Sequence, residues 1–141
     1  MRHARTATGL VALATAIAGC GGGGDYANDP RPAAPINVTA AITDQKVTVS
    51  PRGIGAGPVV IIIANETQQS HRFTVETDEL GASTGGIKQQ TGPINPQGTA
   101  TLKLDMTRGS YKVSVDGGSI SGARLKVGKN RPSSQDQLLQ P

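Results

Sequence analysis

Apolar and polar residues alternate along most of the chain between residues 36 and 128, which is the pattern of half-buried β-strands. Four runs show this alternation clearly: residues 47–50, 72–76, 100–106 and 111–116. Val59–Ile63 is instead a continuous run of β-branched residues, which predicts a central strand covered on both faces. This part of the chain therefore predicts a β-sheet structure.

Turn-forming residues separate the predicted strands. They occur in six clusters, at residues 43–45, 53–58, 85–86, 95–98, 108–109 and 117–118. No stretch of this region has sustained helical periodicity. About seven short strands with this spacing predict an all-β domain, either a sandwich or a small barrel. Its core should be aliphatic, because the chain contains only one Phe, two Tyr and no Trp.

The N-terminus has the organisation of an export signal. Arg2 and Arg5 form a basic start, and the ten residues 9–18 form an apolar run. This run is too short to cross a bilayer, which takes roughly 20 residues. The sequence therefore predicts a signal peptide rather than a transmembrane anchor.

Two cleavage sites fit the end of this segment. The small residues of 16–18 fit a cut before Gly19 and a soluble secreted product. Residues 17–20, Ile-Ala-Gly-Cys, resemble a bacterial lipobox, in which the cut falls before Cys20 and acyl chains such as palmitate are attached to it. We favour lipidation of Cys20, because it removes an unpaired thiol from an oxidising compartment and several chains anchor a protein stably.

These features divide the chain into four segments. Residues 1–19 are the predicted signal peptide, and residues 20–35 are the lipidated cysteine with a Gly/Pro linker that spans on the order of 20 Å. Residues 36–128 are the β domain, and residues 129–141 are a disordered polar tail. The expected location is the extracytoplasmic face of a cell membrane, with the membrane as partner through the lipid.

The charge argues against a nucleic-acid partner. The chain has a net charge of +4, and loss of Arg2 and Arg5 with the signal peptide lowers it to +2. The sequence contains no basic cluster that could follow a phosphate backbone, and its three aromatic residues make no stacking platform for bases.

Three segments resemble the cupredoxin family. Residues 59–75 have a hydrophobic strand, an Asn, a short loop and a His before an alternating strand. Residues 109–127 are similar to the family's C-terminal hairpin, and residues 38–51 look like its first two strands. The resemblance implies a Greek-key β-sandwich, in agreement with the alternation.

The family's copper site does not carry over with the resemblance. A blue-copper site takes two imidazoles and a thiolate, often with a weakly bound axial Met. His71 matches the first histidine and Asn65 its neighbouring asparagine, but Val115 stands in the place of the cysteine and Ile120 is nearest to the axial methionine. After signal cleavage the chain keeps one His, one Met and one Cys, Cys20. We therefore expect neither copper nor another cofactor.

His71 itself has two interpretations. A lone histidine beside a strand is usually a structural residue. The alternative is a metal contact shared with Asp78, Glu79 or a second chain, although affinity needs several preplaced ligands. If the domain binds a ligand, we expect the polar segment 80–92 together with the His71 end to form the site.

The sequence favours a non-catalytic binding or envelope-structural module, with an envelope protein as a further partner. It contains no nucleotide fingerprint and no paired acid and base, so we expect no enzyme. One alternative is a protein that handles a metal ion through His71 and nearby oxygen ligands. Another is an accessory domain of an electron-transfer or transport complex.

Overall fold

A computed structural model of the chain describes residues 32–78 and 86–133. These residues form eight β-strands and no helix. The strands are β1 (Ile36–Ile42), β2 (Val47–Ser50), β3 (Gly53–Asn65), β4 (Phe73–Thr77), β5 (Lys88–Gln90), β6 (Thr99–Met106), β7 (Gly109–Val115) and β8 (Ala123–Asn130). The prediction of an all-β domain is confirmed.

The strands form two sheets that share β3. In sheet I the order is β2-β1-β3-β6, with β1 parallel to β3 and the other pairs antiparallel. In sheet II the order is β5-β4-β7-β8-β3, with β8 parallel to β3 and the other pairs antiparallel. Several strands that pair with each other are not consecutive in the sequence, so the chain makes crossover connections between them.

β3 passes from one sheet to the other. Its first residues pair with β8, and the register shifts between Ile54 and Ala56. From Gly57 onward it pairs with β6, and from Val59 with β1. Gly57 has a φ of 125°, a conformation that favours glycine. The prediction of a turn at residues 53–58 is therefore wrong, because these glycines serve a strand that changes sheets.

Arg131 binds the backbone at this crossing. Its Nε donates to the carbonyl oxygens of Gly55 and Ala56 at 3.2 and 3.3 Å. Its Nη2 donates to the oxygen of Pro58, and its Nη1 donates to the oxygen of Ala34 at 2.6 Å. The side chain thus joins the residues before β1 and after β8 to the middle of the domain.

These contacts move the expected boundaries. The domain does not end at residue 128, because β8 continues to Asn130 and the Arg131 N–H donates to the Ala56 oxygen at 3.0 Å. The predicted linker likewise ends before Ala34, whose carbonyl Arg131 binds. The predicted signal peptide, Cys20, most of the linker and the tail after Ser133 lie outside the described residues.

The core lies between the two sheets and is mainly aliphatic. Phe73 and Tyr111 are its two aromatic members, both fully buried. The Tyr111 hydroxyl donates to the Thr107 carbonyl at 2.9 Å and accepts the Thr107 N–H at 3.1 Å, which joins β7 to the turn before it. The alternating runs at residues 47–50, 72–76, 100–106 and 111–116 supply inward-facing residues, as predicted.

The expected burial of one strand is wrong, and another strand has no counterpart among the predicted ones. The run Val59–Ile63 is not covered on both faces, since Ile62 is 40% exposed on the outer face of sheet I. β5, which makes eight strands rather than about seven, consists of three exposed polar residues. Backbone pairing with β4, rather than burial of side chains, places β5 in the sheet. The apolar pattern of the sequence therefore reveals neither the exposed outer face of β3 nor the presence of β5.

The described residues contain no helix long and apolar enough to cross a membrane.

Substitution of Gly55 by Ala should destabilise the domain. A Cβ at this position would lie 2.5 Å from the Arg131 Cγ and 3.1 Å from the Lys129 oxygen. We expect a loss of about 1–3 kcal/mol in the free energy of unfolding, measured by urea denaturation. Gly53→Ala is the matched control, because no atom lies within 4 Å of its Cβ position. Equal stability of the two variants would contradict the role of Arg131 at the crossing.

Candidate functional site

Asn65 organises the loops at the C-terminal end of β3. Its side chain is 1% exposed. The amide nitrogen lies 2.7 Å from the Gln69 oxygen, 3.0 Å from that of Ile94 and 3.1 Å from that of Asn95. Two amide hydrogens are therefore shared among three carbonyls of two different loops. This side chain therefore links residues 66–72 to residues 91–98.

The Asn65 oxygen is equally engaged. Its Oδ1 accepts the N–H of Thr67 at 3.1 Å and the hydroxyl of Thr67 at 2.8 Å. Gln97 adds a second link, because its Nε2 donates to the Glu66 oxygen at 3.0 Å. Every polar atom of the buried Asn65 side chain has a partner within the protein. The loops are thus ordered by hydrogen bonds of the chain itself.

His71 lies beside this network, just before β4. It is 8% exposed, and its backbone forms a two-way bridge with Ile94. Its Nδ1 lies 3.7 Å from Oδ1 of Asp116, too long for a hydrogen bond but within ion-pair distance. The Arg72 N–H donates to the same Asp116 oxygen at 2.8 Å and holds the carboxylate in place. The structure therefore places a carboxylate next to the imidazole.

A shallow cleft of about 180 Å³ opens beside His71. Its lining residues are Asp44, Thr67, Gln68, Gln69, His71, Ser119 and Ile120. His71 and Ile120, which the resemblance matches to the first histidine and the axial methionine, therefore meet at one cleft. Val115, matched to the cysteine, is buried opposite Phe73.

Asp78 is not a neighbour of His71. It follows the far end of β4, where its carboxylate lies 3.1 Å from Nη1 of Arg124. Glu79 lies outside the described residues. The carboxylate beside His71 is Asp116, which the sequence analysis did not single out. The pairing of Phe73 with Val115 brings it there, because Arg72 and Asp116 lie one residue beyond the paired ends of β4 and β7.

Only part of segment 80–92 approaches His71. Residues 80–85 lie outside the described residues, and residues 88–90 form β5 along the edge of sheet II. The chain returns to the His71 end after Thr91, whose hydroxyl accepts the Phe73 N–H at 3.0 Å. Contact with His71 itself is made by Ile94, two residues beyond the predicted segment.

The donor set at this end is small. Across residues 32–78 and 86–133, no three His, Cys, Asp or Glu side chains are grouped so that they could hold a metal ion. His71 and Asp116 together offer one nitrogen and one carboxylate.

Comparison with proteins of known structure identifies the type of fold. No family model matches the sequence, and no curated protein sequence is similar to it. Auracyanin A, a "blue" copper protein from the green thermophilic photosynthetic bacterium Chloroflexus aurantiacus, matches with a TM-score of 0.54 and 14% identity, over 67% of this chain and 100% of auracyanin. The fold is cupredoxin-like. Reduced rusticyanin agrees, with a TM-score of 0.51 and 16% identity over 67% of this chain and 79% of rusticyanin.

This likeness confirms the predicted cupredoxin-like β-sandwich. Because the sequence identities are only 14% and 16%, the similarity concerns the fold alone.

Removal of the Asn65 amide should destabilise the domain strongly. Asn65→Ala removes one donor from three loop carbonyls and leaves the buried Thr67 N–H without its acceptor. We expect a loss of about 3 kcal/mol in the free energy of unfolding, measured by urea denaturation. Asn37→Ala is the control, since Asn37 is exposed on β1. A loss for Asn65→Ala no larger than that for the control would refute the organising role of Asn65.

Proposed function

We propose that this chain is a lipid-anchored extracytoplasmic protein whose cupredoxin-like domain carries no copper. The domain acts as a non-catalytic binding or structural module of the cell envelope. One observation carries this proposal: the side chains that line the cleft beside His71 include neither a second imidazole nor a thiolate. The loops around this cleft are held by the side chain of Asn65.

The residues present do not fit a blue-copper centre. Such a centre takes two imidazoles and one thiolate around the metal. His71 is the one histidine of the described residues, and its cleft is lined by an aliphatic Ile120 and otherwise by oxygen- and amide-bearing side chains. The one cysteine of the sequence, Cys20, belongs to the predicted linker. This disagreement supports a domain that keeps the fold and does not use the metal.

The geometry also favours binding over catalysis. Ser119 lines the same cleft as His71, but in the described part of the chain no hydrogen bond joins the two side chains. A serine nucleophile needs such a bond to its base. The cleft is shallow and polar, and its loops are held by Asn65 and Gln97. Loops held in this way on a sandwich suit recognition of another molecule.

The start of β1, which follows the predicted linker, and the Asn65 loops lie at opposite ends of the domain. Arg131 binds Ala34, just before β1, and the crossing at Ala56. From Ala56 to Asn65, β3 runs for roughly 30 Å at about 3.3 Å per residue. In a chain anchored through Cys20, the Asn65 loops would therefore lie at the end of the domain away from the predicted linker. This arrangement supports a binding surface that is accessible to other envelope components.

The second candidate is a metal-handling protein. The observation in its favour is the 3.7 Å approach of the His71 Nδ1 to the Asp116 carboxylate. One imidazole and one carboxylate bind a transition metal only when a second molecule completes the ligand set.

Replacement of Cys20 by Ser should release the protein from membranes. Lipid is attached to the thiol in the proposed mature form, and serine offers no such attachment. We expect most of the Cys20→Ser protein in the soluble fraction after cell fractionation, with Gly21→Ser as the control that stays with membranes. Mass spectrometry of the mature N-terminus identifies the cleavage site. Membrane retention of Cys20→Ser would contradict the anchor.

A zinc titration separates the two candidates. The copper-free binding module predicts no stoichiometric Zn²⁺ binding at micromolar concentration by calorimetry, because two ligands do not make a site. A stoichiometric site that is lost in both His71→Ala and Asp116→Asn, and kept in Asp78→Asn, would contradict that prediction and support metal handling. Asp78→Asn is the matched control, since Asp78 lies at the far end of β4.

A further inference from the structure

A second cleft, separate from the His71 end, lies between the edge of sheet I and sheet II. It has a volume of about 380 Å³. Its lining residues are Lys46, Val47, Arg52, Ser121, Gly122, Ala123 and Arg124. Three of them are cationic and none is acidic. We refer to this site as the cationic cleft.

The backbone of the cationic cleft is fixed by hydrogen bonds. The Val47 N–H donates to the Ser121 oxygen at 2.8 Å, and the Ser121 N–H donates to the Gln45 oxygen at 3.0 Å. The Lys126 N–H donates to the Arg52 oxygen at 2.8 Å. The cationic side chains therefore project from ordered positions at the starts of β2 and β3 and from β8, rather than from a loose loop.

Neighbouring carboxylates neutralise the other half of this face. Glu76 lies 3.3 Å from Lys88 and 3.8 Å from Lys112, and Asp78 lies 3.1 Å from Arg124. Both acids belong to the β4 side of sheet II.

Arg124 of β8 is paired with Asp78, whereas the positive charge around the start of β3 is uncompensated. Among the residues that the structure describes, no carboxylate lies within ion-pair distance of Lys46, Arg52 or Lys126. The register pairs Lys126 with Gly53, directly beside Arg52. Like charges gathered on fixed backbone raise the local positive potential and attract anions.

We propose that the cationic cleft binds a phosphate group, carried by a soluble solute or by a lipid headgroup. The planar fork of Arg52 and the ammonium of Lys46 both match phosphate oxygens, and the Ser121 hydroxyl is a further donor. The cleft is larger than a bare ion needs, so it can hold part of the molecule that bears the phosphate. No aromatic side chain lines it, which disfavours a nucleic-acid base.

This site is independent of the lipid anchor and of the copper question. Its residues come from three separate parts of the sequence, so they form no basic cluster along the chain that could have indicated the site. The fold creates the cluster by bringing residues 46, 52 and 124 together.

The test uses the chain with Cys20→Ser, so that no lipid contributes to binding. Inorganic pyrophosphate is titrated by calorimetry, and sedimentation measures binding to vesicles of phosphatidylcholine with or without phosphatidylglycerol. We expect saturable binding of at least one probe that Arg52→Gln weakens about tenfold or more. Lys103→Gln is the control, because it removes the same charge from the exposed face of β6 in sheet I.

The two probes identify the source of the phosphate. Pyrophosphate binding that is sensitive to Arg52→Gln indicates a soluble ligand, and binding only to phosphatidylglycerol vesicles with the same sensitivity indicates a headgroup. Arg52→Lys, which keeps the charge but lacks the planar fork, should bind more weakly than the unchanged protein and more tightly than Arg52→Gln in either case. Absence of saturable binding to both probes, or an equal loss in Lys103→Gln, would overturn the proposal.

Discussion

The membership of β3 in both sheets is the constraint on which the rest of the structure depends. Its first residues pair with β8 in sheet II, and its later residues pair with β1 and β6 in sheet I. Because one continuous backbone enters both sheets, neither sheet can shift without the other. Gly57 permits the passage, and the guanidinium of Arg131 binds the carbonyls exposed there. At its other end β3 carries Asn65, whose side chain binds the loops. The core and the candidate site therefore depend on the same strand.

Asn65 orders the loops at the C-terminal end of β3 through hydrogen bonds of the chain itself. Individual hydrogen bonds contribute only about 0.5–1.5 kcal/mol each, but a buried amide whose partners lie in two loops couples those loops to one strand. His71 then rests against Ile94 and Asp116. The charged residues of the cationic cleft are held in the same manner, by backbone bonds between β2, β8 and the start of β3. Both sites are therefore preformed surfaces of a rigid sandwich.

The alternation of apolar and polar residues predicted most of this fold, because in β6 and β7 the apolar side chains face the core and the polar side chains face outward. It failed where pairing depends on the backbone alone. The glycines of residues 53–58 are typical of a turn, yet here they allow β3 to cross between sheets, and the polar β5 has no alternation to detect. Within the candidate site, His71 and Asn65 could be predicted from the resemblance. Asp116 and the cationic cleft could not, because they arise from contacts between segments distant in sequence.

We propose a cupredoxin-like domain whose native state is stable without copper. The most direct measurement is the urea unfolding midpoint of the purified chain, recorded in EDTA and again with a small excess of Cu²⁺. A metal that binds the native state and not the unfolded state stabilises the native state, by an amount that grows with the logarithm of the metal concentration divided by its dissociation constant. We expect the same urea unfolding midpoint in EDTA and in Cu²⁺. A higher midpoint in Cu²⁺ that disappears in His71→Ala would contradict it.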